Sequence, residues 1–120
     1  MDITQSDINE KFKMITVGGR IDWENARVLD RQIQQVVQMG CINVVFDFDK
    51  VTFICSGGIG ALVYNFNKVK KLGGAIYIIC DNDYVNYIFA TLKFDVVFDK
   101  LLFKTYADFT AQFLQKEPTA

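Results

Sequence analysis

The segment of this chain best suited to chemistry is residues 55–60, Cys-Ser-Gly-Gly-Ile-Gly, which puts a thiol and a hydroxyl beside three glycines. Glycine permits a tight turn and the close approach of another molecule. An amphipathic pattern follows, and the N-terminus of a helix offers free N–H groups and partial positive charge. Ser56 at this point suits phosphorylation or contact with a partner, whereas the simplest alternative is a tight turn with a serine cap.

The residues needed for catalysis, for metal or cofactor binding and for nucleic-acid binding are largely missing from the sequence. The chain has no histidine, and its three cysteines, at positions 41, 55 and 80, are not spaced as zinc ligands. We find no nucleophile–base pair and no complete phosphate-binding motif, so we predict no enzyme activity, no metal and no cofactor. The net charge of −1 argues against a nucleic-acid partner. Cys55 is either a reactive thiol near a helix start or a filler of an apolar gap.

Periodicity predicts the elements that would position this segment. Strands are expected at residues 3–8, 11–17, 42–48, 75–80 and 96–98, and residues 49–55 are expected to form a loop. Helical spacing predicts four helices, centred on residues 26–37, 59–69, 85–92 and 106–113. Asp22 is the expected N-cap of the first helix, Gly40 and residues 73–74 end the first two, and Thr105 opens the last. Residues 117–120 are an expected tail.

The alternation of strand and helix predicts an α/β fold with a mixed, mainly parallel sheet of about five strands and about four helices. We expect residues 1–120 to form a single domain. The N-terminus lacks the features of a signal peptide, and no apolar run approaches the roughly 20 residues that span a membrane, so we expect a cytoplasmic protein without direct membrane insertion.

Four short motifs follow one another along nearly the whole chain: residues 19–22, Gly-Arg-Ile-Asp, and residues 44–54, 56–62 and 72–74. Together they resemble motifs of the STAS domains of bacterial anti-sigma-factor antagonists. Residues 19–22 resemble the Gly-x-Leu-Asp signature of that family, and residues 44–54 resemble its central strand and the loop after it. Residues 56–62 resemble its Asp-Ser-Ser-Gly-Leu-Gly loop and helix, and residues 72–74 its usual helix end. The order and spacing of these motifs carry the resemblance, because each motif is short.

The resemblance implies partner switching: an anti-sigma factor, or a related serine kinase, binds the serine loop and phosphorylates its second serine, and a phosphatase restores binding. Here Cys55 replaces the family's Asp, and Gly57 stands at the acceptor position, so Ser56 is the remaining candidate for phosphorylation. The predicted partner-binding residues are Asp22, Cys55, Ser56, Gly57, Gly58 and Ile59. Trp23, Tyr84 and Tyr87 are further candidates for either interface or core.

Two functions remain open. The first is an antagonist-like regulatory binding module in a partner-switching circuit, without the usual phospho-acceptor serine because Gly57 takes its place. The alternative is a constitutive STAS adaptor subunit of a membrane transport or lipid-trafficking complex, packed against a transporter ATPase subunit.

Overall fold

The computed structural model of the chain describes residues 1–94 and 98–114, and five strands within them form one sheet. The first two strands are antiparallel, and the rest continue in parallel from the second. In spatial order the strands are β1 (Asp2–Asp7), β2 (Phe12–Ile21), β3 (Asn43–Ile54), β4 (Ala75–Ile79) and β5 (Leu102–Phe103). The predicted mixed, mainly parallel sheet is confirmed.

Helices cover both faces of the sheet, because the central strands are apolar on both sides. Within the described residues they are α1 (Ala26–Gln38), α2 (Ser56–Lys71), α3 (Asp83–Thr91) and α4 (Tyr106–Phe113). Successive strand residues face opposite sides. Val44 and Phe46 of β3 therefore pack in the core with α1, α2 and α3, whereas Val45 packs in a second core with Phe109 of α4.

The helix ends follow the local signals in the sequence. Gly40 and Gly73 have positive φ angles of 94° and 91°, which glycine tolerates, and they lie just beyond the ends of α1 and α2. The Thr105 side chain accepts a hydrogen bond from the backbone N–H of Asp108 at the start of α4. These three predicted helix boundaries are confirmed.

Two strands are longer than predicted. Strand β2 continues through Gly18 and Gly19 to Ile21, and β3 continues to Ile54, so the prediction of a loop at residues 49–55 is wrong for residues 49–54. Pairing between the strands explains the difference, since Gly19 pairs with Val51 and Ile21 with Ile54 in the same parallel ladder. Hydrogen bonding to a neighbouring strand outweighs the weak local preference of glycine for a turn.

The predicted strand at residues 96–98 is wrong at Phe98, which lies in a turn; residues 96 and 97 fall outside the described part of the chain. The final strand is β5, at Leu102–Phe103. The Phe98 ring stacks on Phe94 at 4.4 Å between ring centroids and lies 4.7 Å from Phe66, so its apolar character serves the core. The predicted tail at 117–120 also lies outside the described residues.

The ends of β2 and β3 form a two-stranded ribbon that extends beyond the rest of the sheet. Pairing of β3 with β4 stops at Asp47 and Ile79, whereas pairing of β3 with β2 continues to Ile54. The Asn82 side chain donates a hydrogen bond to the Val51 carbonyl at 2.6 Å and supports the ribbon from the β4 side. Helix α2 begins directly after this ribbon, which brings the segment at residues 55–60 to its outer end.

Candidate functional site

Cys55 caps the N-terminus of α2 with its sulfur. The residue has extended backbone angles, its N–H donates to the Ile21 carbonyl at 2.9 Å, and its Sγ accepts from the Gly58 N–H at 3.4 Å. A thiol is a weak acceptor compared with a carboxylate. Cys55 therefore takes the capping position with a weaker hydrogen-bond acceptor than a carboxylate would be.

Asp22 organises the turn that joins β2 to α1. Its carboxylate accepts from the N–H groups of Glu24 and Asn25 at 3.0 Å, and the Asn25 side chain accepts from the Asp22 N–H at 2.8 Å. This reciprocal pairing is the geometry of a capping box. The Ala26 N–H donates to the Asp22 carbonyl at 3.0 Å, and the assigned N-cap residue Asn25 makes no side-chain cap of its own, so Asp22 supplies the predicted cap one turn before the first residue of α1.

Trp23, in the same turn, reaches across to the start of α2. A Cβ atom built on Gly57 would lie 2.9 Å from Cε3 of the indole, closer than real contacts allow. The Trp23 side chain is nevertheless 79% exposed. The indole therefore covers the backbone of Gly57 on one side and faces solvent on the other, and any side chain at position 57 must displace it.

The predicted site residues divide into a surface set and a buried set. Ser56 is exposed at the first residue of α2, and Cys55 and Gly57 are partly exposed beside it. Gly58 and Ile59 are buried in the isolated chain. A Cβ at Gly58 would lie 2.8 Å from Ile21 Cγ2, so glycine at this position lets the first turn of α2 pack against the ribbon.

A groove between the N-terminal halves of α1 and α2 begins beside Trp23 and Gly57. It has a volume of about 760 Å³, with Trp23 at one end and Tyr64, 59% exposed, on α2. The rest of its lining consists of small residues (Ala26, Gly57, Gly60 and Ala61) and charged ones (Glu24, Arg27 and Asp30). Among the described residues, a Cβ atom added to Gly60 would meet no atom within 4 Å outside the backbone of its own helix, so packing within them does not require a glycine there. The groove is open to another molecule.

A polar contact that the sequence analysis missed holds α1 and α2 together beneath this groove. Asn65 is almost completely buried, and its amide donates to Asp30 Oδ1 and to the Ala61 carbonyl, both at 2.8 Å. The other carboxylate oxygen of Asp30 accepts from Gln34 at 3.0 Å. The signal in the sequence was an asparagine on the apolar stripe of α2, where a buried polar group needs a partner.

Cys80 lies at the end of β4 and is buried. Burial is the main reason that the pKa of its thiol is raised to about 11 from the ordinary value of 9.0. Nearby carboxylates raise this pKa further, and a backbone hydrogen bond at Asn82 lowers it. Those carboxylates belong to Asp49, Asp47 and Asp81. The thiolate, which is the reactive form of cysteine, is therefore disfavoured at this position near neutral pH.

Cys80 should make the free energy of unfolding depend on alkaline pH. Below pH 9 both states keep the proton; as pH rises towards 11 the unfolded state loses it first and is stabilised. We expect the fold to lose at most about 3 kcal/mol over this range through Cys80. Chemical denaturation of the wild type and of Cys80→Ala at several pH values measures the difference in their free energies of unfolding. Groups that titrate in both proteins contribute equally to the two values, so their effects cancel in this difference. Parallel pH profiles for the two proteins would contradict it.

Residues 1–94 and 98–114 contain no cluster of three Cys, Asp or Glu side chains arranged to hold a metal ion. Within the same residues, no helix has the length and apolar character needed to cross a membrane.

Comparison with protein families decides the identity of this fold. The family model described as STAS domain matches residues 4–109, which include the Asp22 turn, the segment at 55–60 and both helices of the groove. The chain belongs to the STAS domain family. No curated protein matches this STAS domain by sequence at a significant level.

Solved structures with the same fold include anti-sigma factor antagonists and a sulfate transporter family protein. An anti-sigma factor antagonist from Mycobacterium paratuberculosis is 25% identical, with a TM-score of 0.76 over 92% of this chain and 93% of its own. The antagonist SpoIIAA in its unphosphorylated form is 11% identical, with a TM-score of 0.73 over 97% and 100%. A sulfate transporter family protein from Wolinella succinogenes is 13% identical, with a TM-score of 0.75 over 89% and 88%. The predicted STAS fold is confirmed.

Proposed function

We propose that this STAS domain is a cytoplasmic regulatory binding module, not an enzyme, and that it engages an anti-sigma factor or a related serine kinase. The partner would contact the edge made by the Asp22 turn and the first turn of α2. The observation that carries this proposal is Trp23, a largely exposed tryptophan that packs on Gly57 beside Ser56. Exposed aromatic residues beside a groove are typical anchors of protein interfaces.

The lack of a side chain at Gly57 determines the kind of regulation that we propose. Gly57 has no hydroxyl, and the Trp23 indole occupies the space where a side chain would extend. Binding would therefore be constitutive on this side, with regulation left to the partner. Ser56 is the remaining hydroxyl of the segment, exposed at a helix N-terminus that favours negative charge, and a phosphate there, removed by a phosphatase, is the switching variant of the same proposal.

The second candidate function is a constitutive adaptor subunit that packs against a transporter ATPase subunit. The absence of a side chain at Gly57 favours it, because an adaptor needs no phosphorylation switch. The fold likeness to a sulfate transporter family protein is consistent with this candidate.

The test is capture of the partner with wild-type protein, with and without ATP, together with the intact mass of the captured chain. We expect a nucleotide-binding partner that stays bound in ATP while the mass of this chain is unchanged. Release in ATP with the gain of one phosphate, abolished by Ser56→Ala, would instead establish the switching variant. If the protein captures no partner either with or without ATP, both proposed functions are contradicted. The identity of the partner, a serine kinase or a transporter ATPase subunit, distinguishes the two candidates.

A negative charge at position 57 should weaken this binding. We expect Gly57→Asp to lower the affinity of the purified partner roughly 30-fold or more, because a carboxylate in a close interface is desolvated without a compensating group. Gly57→Ala is the matched control: it displaces Trp23 in the same way but adds no charge. Calorimetric titration of both variants separates the two effects. Equal affinities for the Asp and Ala variants would mean that position 57 lies outside the interface.

A further inference from the structure

The C-terminal half of α2 presents an exposed face of mixed aromatic, basic and aliphatic character. Tyr64, Lys68, Lys71 and Leu72 follow one another at helical spacing and are all exposed. Leu72 is 58% exposed, and the Lys68 ammonium lies 5.4 Å from the centre of the Tyr64 ring. We call these four residues the outer face of α2.

Met39 adds a second exposed apolar side chain at the same end of the molecule. It is the C-cap of α1 and is 62% exposed, as Leu72 is the C-cap of α2. The two helices lead into neighbouring parallel strands whose first residues, Asn43 and Ala75, are paired. The C-terminal ends of both helices therefore lie beside the N-terminal ends of the parallel strands β3 and β4. The candidate partner site lies at the opposite ends of the strands.

The charged side chains of the outer face of α2 are all basic, whereas Met39 lines a pocket together with Asp7, Glu10 and Lys13. From residue 51 to residue 80 the only charged side chains are Lys68, Lys70 and Lys71, and residues 32–43 carry no charge, although the chain has a net charge of −1. Lysines near a helix C-terminus complement its dipole, which accounts for the cations. That explanation does not account for exposed Leu72 and Met39 beside them, since burying either would stabilise the fold.

We propose that the outer face of α2, together with Met39, docks on an anionic membrane surface. The ammonium groups match the negative headgroups, an amphipathic tyrosine suits the interfacial layer, and the leucine and methionine side chains suit its apolar boundary. This is contact with the surface and not insertion of a helix. Ser56 lies at the other end of the 16-residue α2, about 24 Å from Leu72, so the end of the partner site formed by Ser56 and Trp23 would lie away from the lipid. Tyr64, which also lines the groove, would lie between the two contacts.

The test is co-sedimentation of the purified protein with phosphatidylcholine vesicles containing about one-third phosphatidylserine, beside pure phosphatidylcholine vesicles. We expect binding to the anionic vesicles only, weakened by added salt because the attraction is screened. Each lysine near the surface should contribute roughly fivefold in affinity, so the double variant Lys68→Gln, Lys71→Gln should bind about 25-fold more weakly. Leu72→Ala should also reduce binding, with all lysines retained.

The matched control is the double variant Lys50→Gln, Lys104→Gln, which changes the net charge equally at exposed positions outside this face. We expect it to bind the anionic vesicles like the wild type. Three results would overturn the proposal: no sedimentation with anionic vesicles, equal sedimentation with neutral ones, or the same loss in the control. The first would leave an acidic protein partner as the occupant of this face. None of these results depends on the partner captured at the opposite edge.

Discussion

Replacing Trp23 with alanine is expected to weaken partner binding about 30-fold or more while changing the free energy of unfolding by less than about 0.5 kcal/mol. The indole is 79% exposed in the isolated chain, so the fold loses little when it is removed. In the proposed complex the same ring would be buried between Gly57 and the partner. A large aromatic side chain that becomes desolvated at the centre of an interface contributes several times the average contact.

Trp23 also offers a direct measurement, because it is the only tryptophan in the chain. Its emission should shift to shorter wavelength when a partner without tryptophan at the interface buries it, and calorimetric titration of Trp23→Ala gives the loss in affinity. Tyr87→Ala is the matched control: Tyr87 is an exposed aromatic on α3, away from the groove. Wild-type affinity in Trp23→Ala, or equal losses in both variants, would contradict the proposed position of the interface.

Gly74→Ala is expected to be the most destabilising single methyl group that can be added to a glycine of this chain. A Cβ on Gly74 would lie 1.9 Å from the backbone oxygen of Ile42, which itself accepts the Ala75 N–H at 3.0 Å where β4 begins beside β3. The clash is with backbone in the central ladder, so it cannot be relieved by rotating a side chain. We expect a loss of about 3 kcal/mol or more in the free energy of unfolding, measured by urea denaturation.

Gly60→Ala is the matched control for that measurement. Gly60 lies inside α2, and an added Cβ would meet nothing within 4 Å, so the substitution should stabilise the fold by about 1 kcal/mol through helix propensity. If Gly60 is glycine because a partner approaches the groove closely, the same variant should bind that partner less tightly. A Gly74→Ala protein as stable as the wild type would refute the packing argument at the start of β4.

Much of the fold followed from local patterns in the sequence. The apolar spacing of Leu29, Ile33 and Val36 predicted α1, and the near-continuous apolar run at residues 42–48 predicted a strand, because burial in a layered fold imposes these periods directly. Gly40, Gly73 and Thr105 marked helix ends correctly, since capping depends on neighbours within one turn. The motifs of residues 19–74 indicated the family.

What the sequence could not determine depended on contacts between distant segments. The extension of β3 to Ile54 needed its partner β2, the position of β5 needed the edge of β4, and the buried Asn65 needed Asp30, which is 35 residues away. The sequence identified Gly57 as a departure from the family pattern. Only the tertiary structure put Trp23 against it, because a side chain 34 positions earlier reaches Gly57 only after β2 and β3 have paired in register.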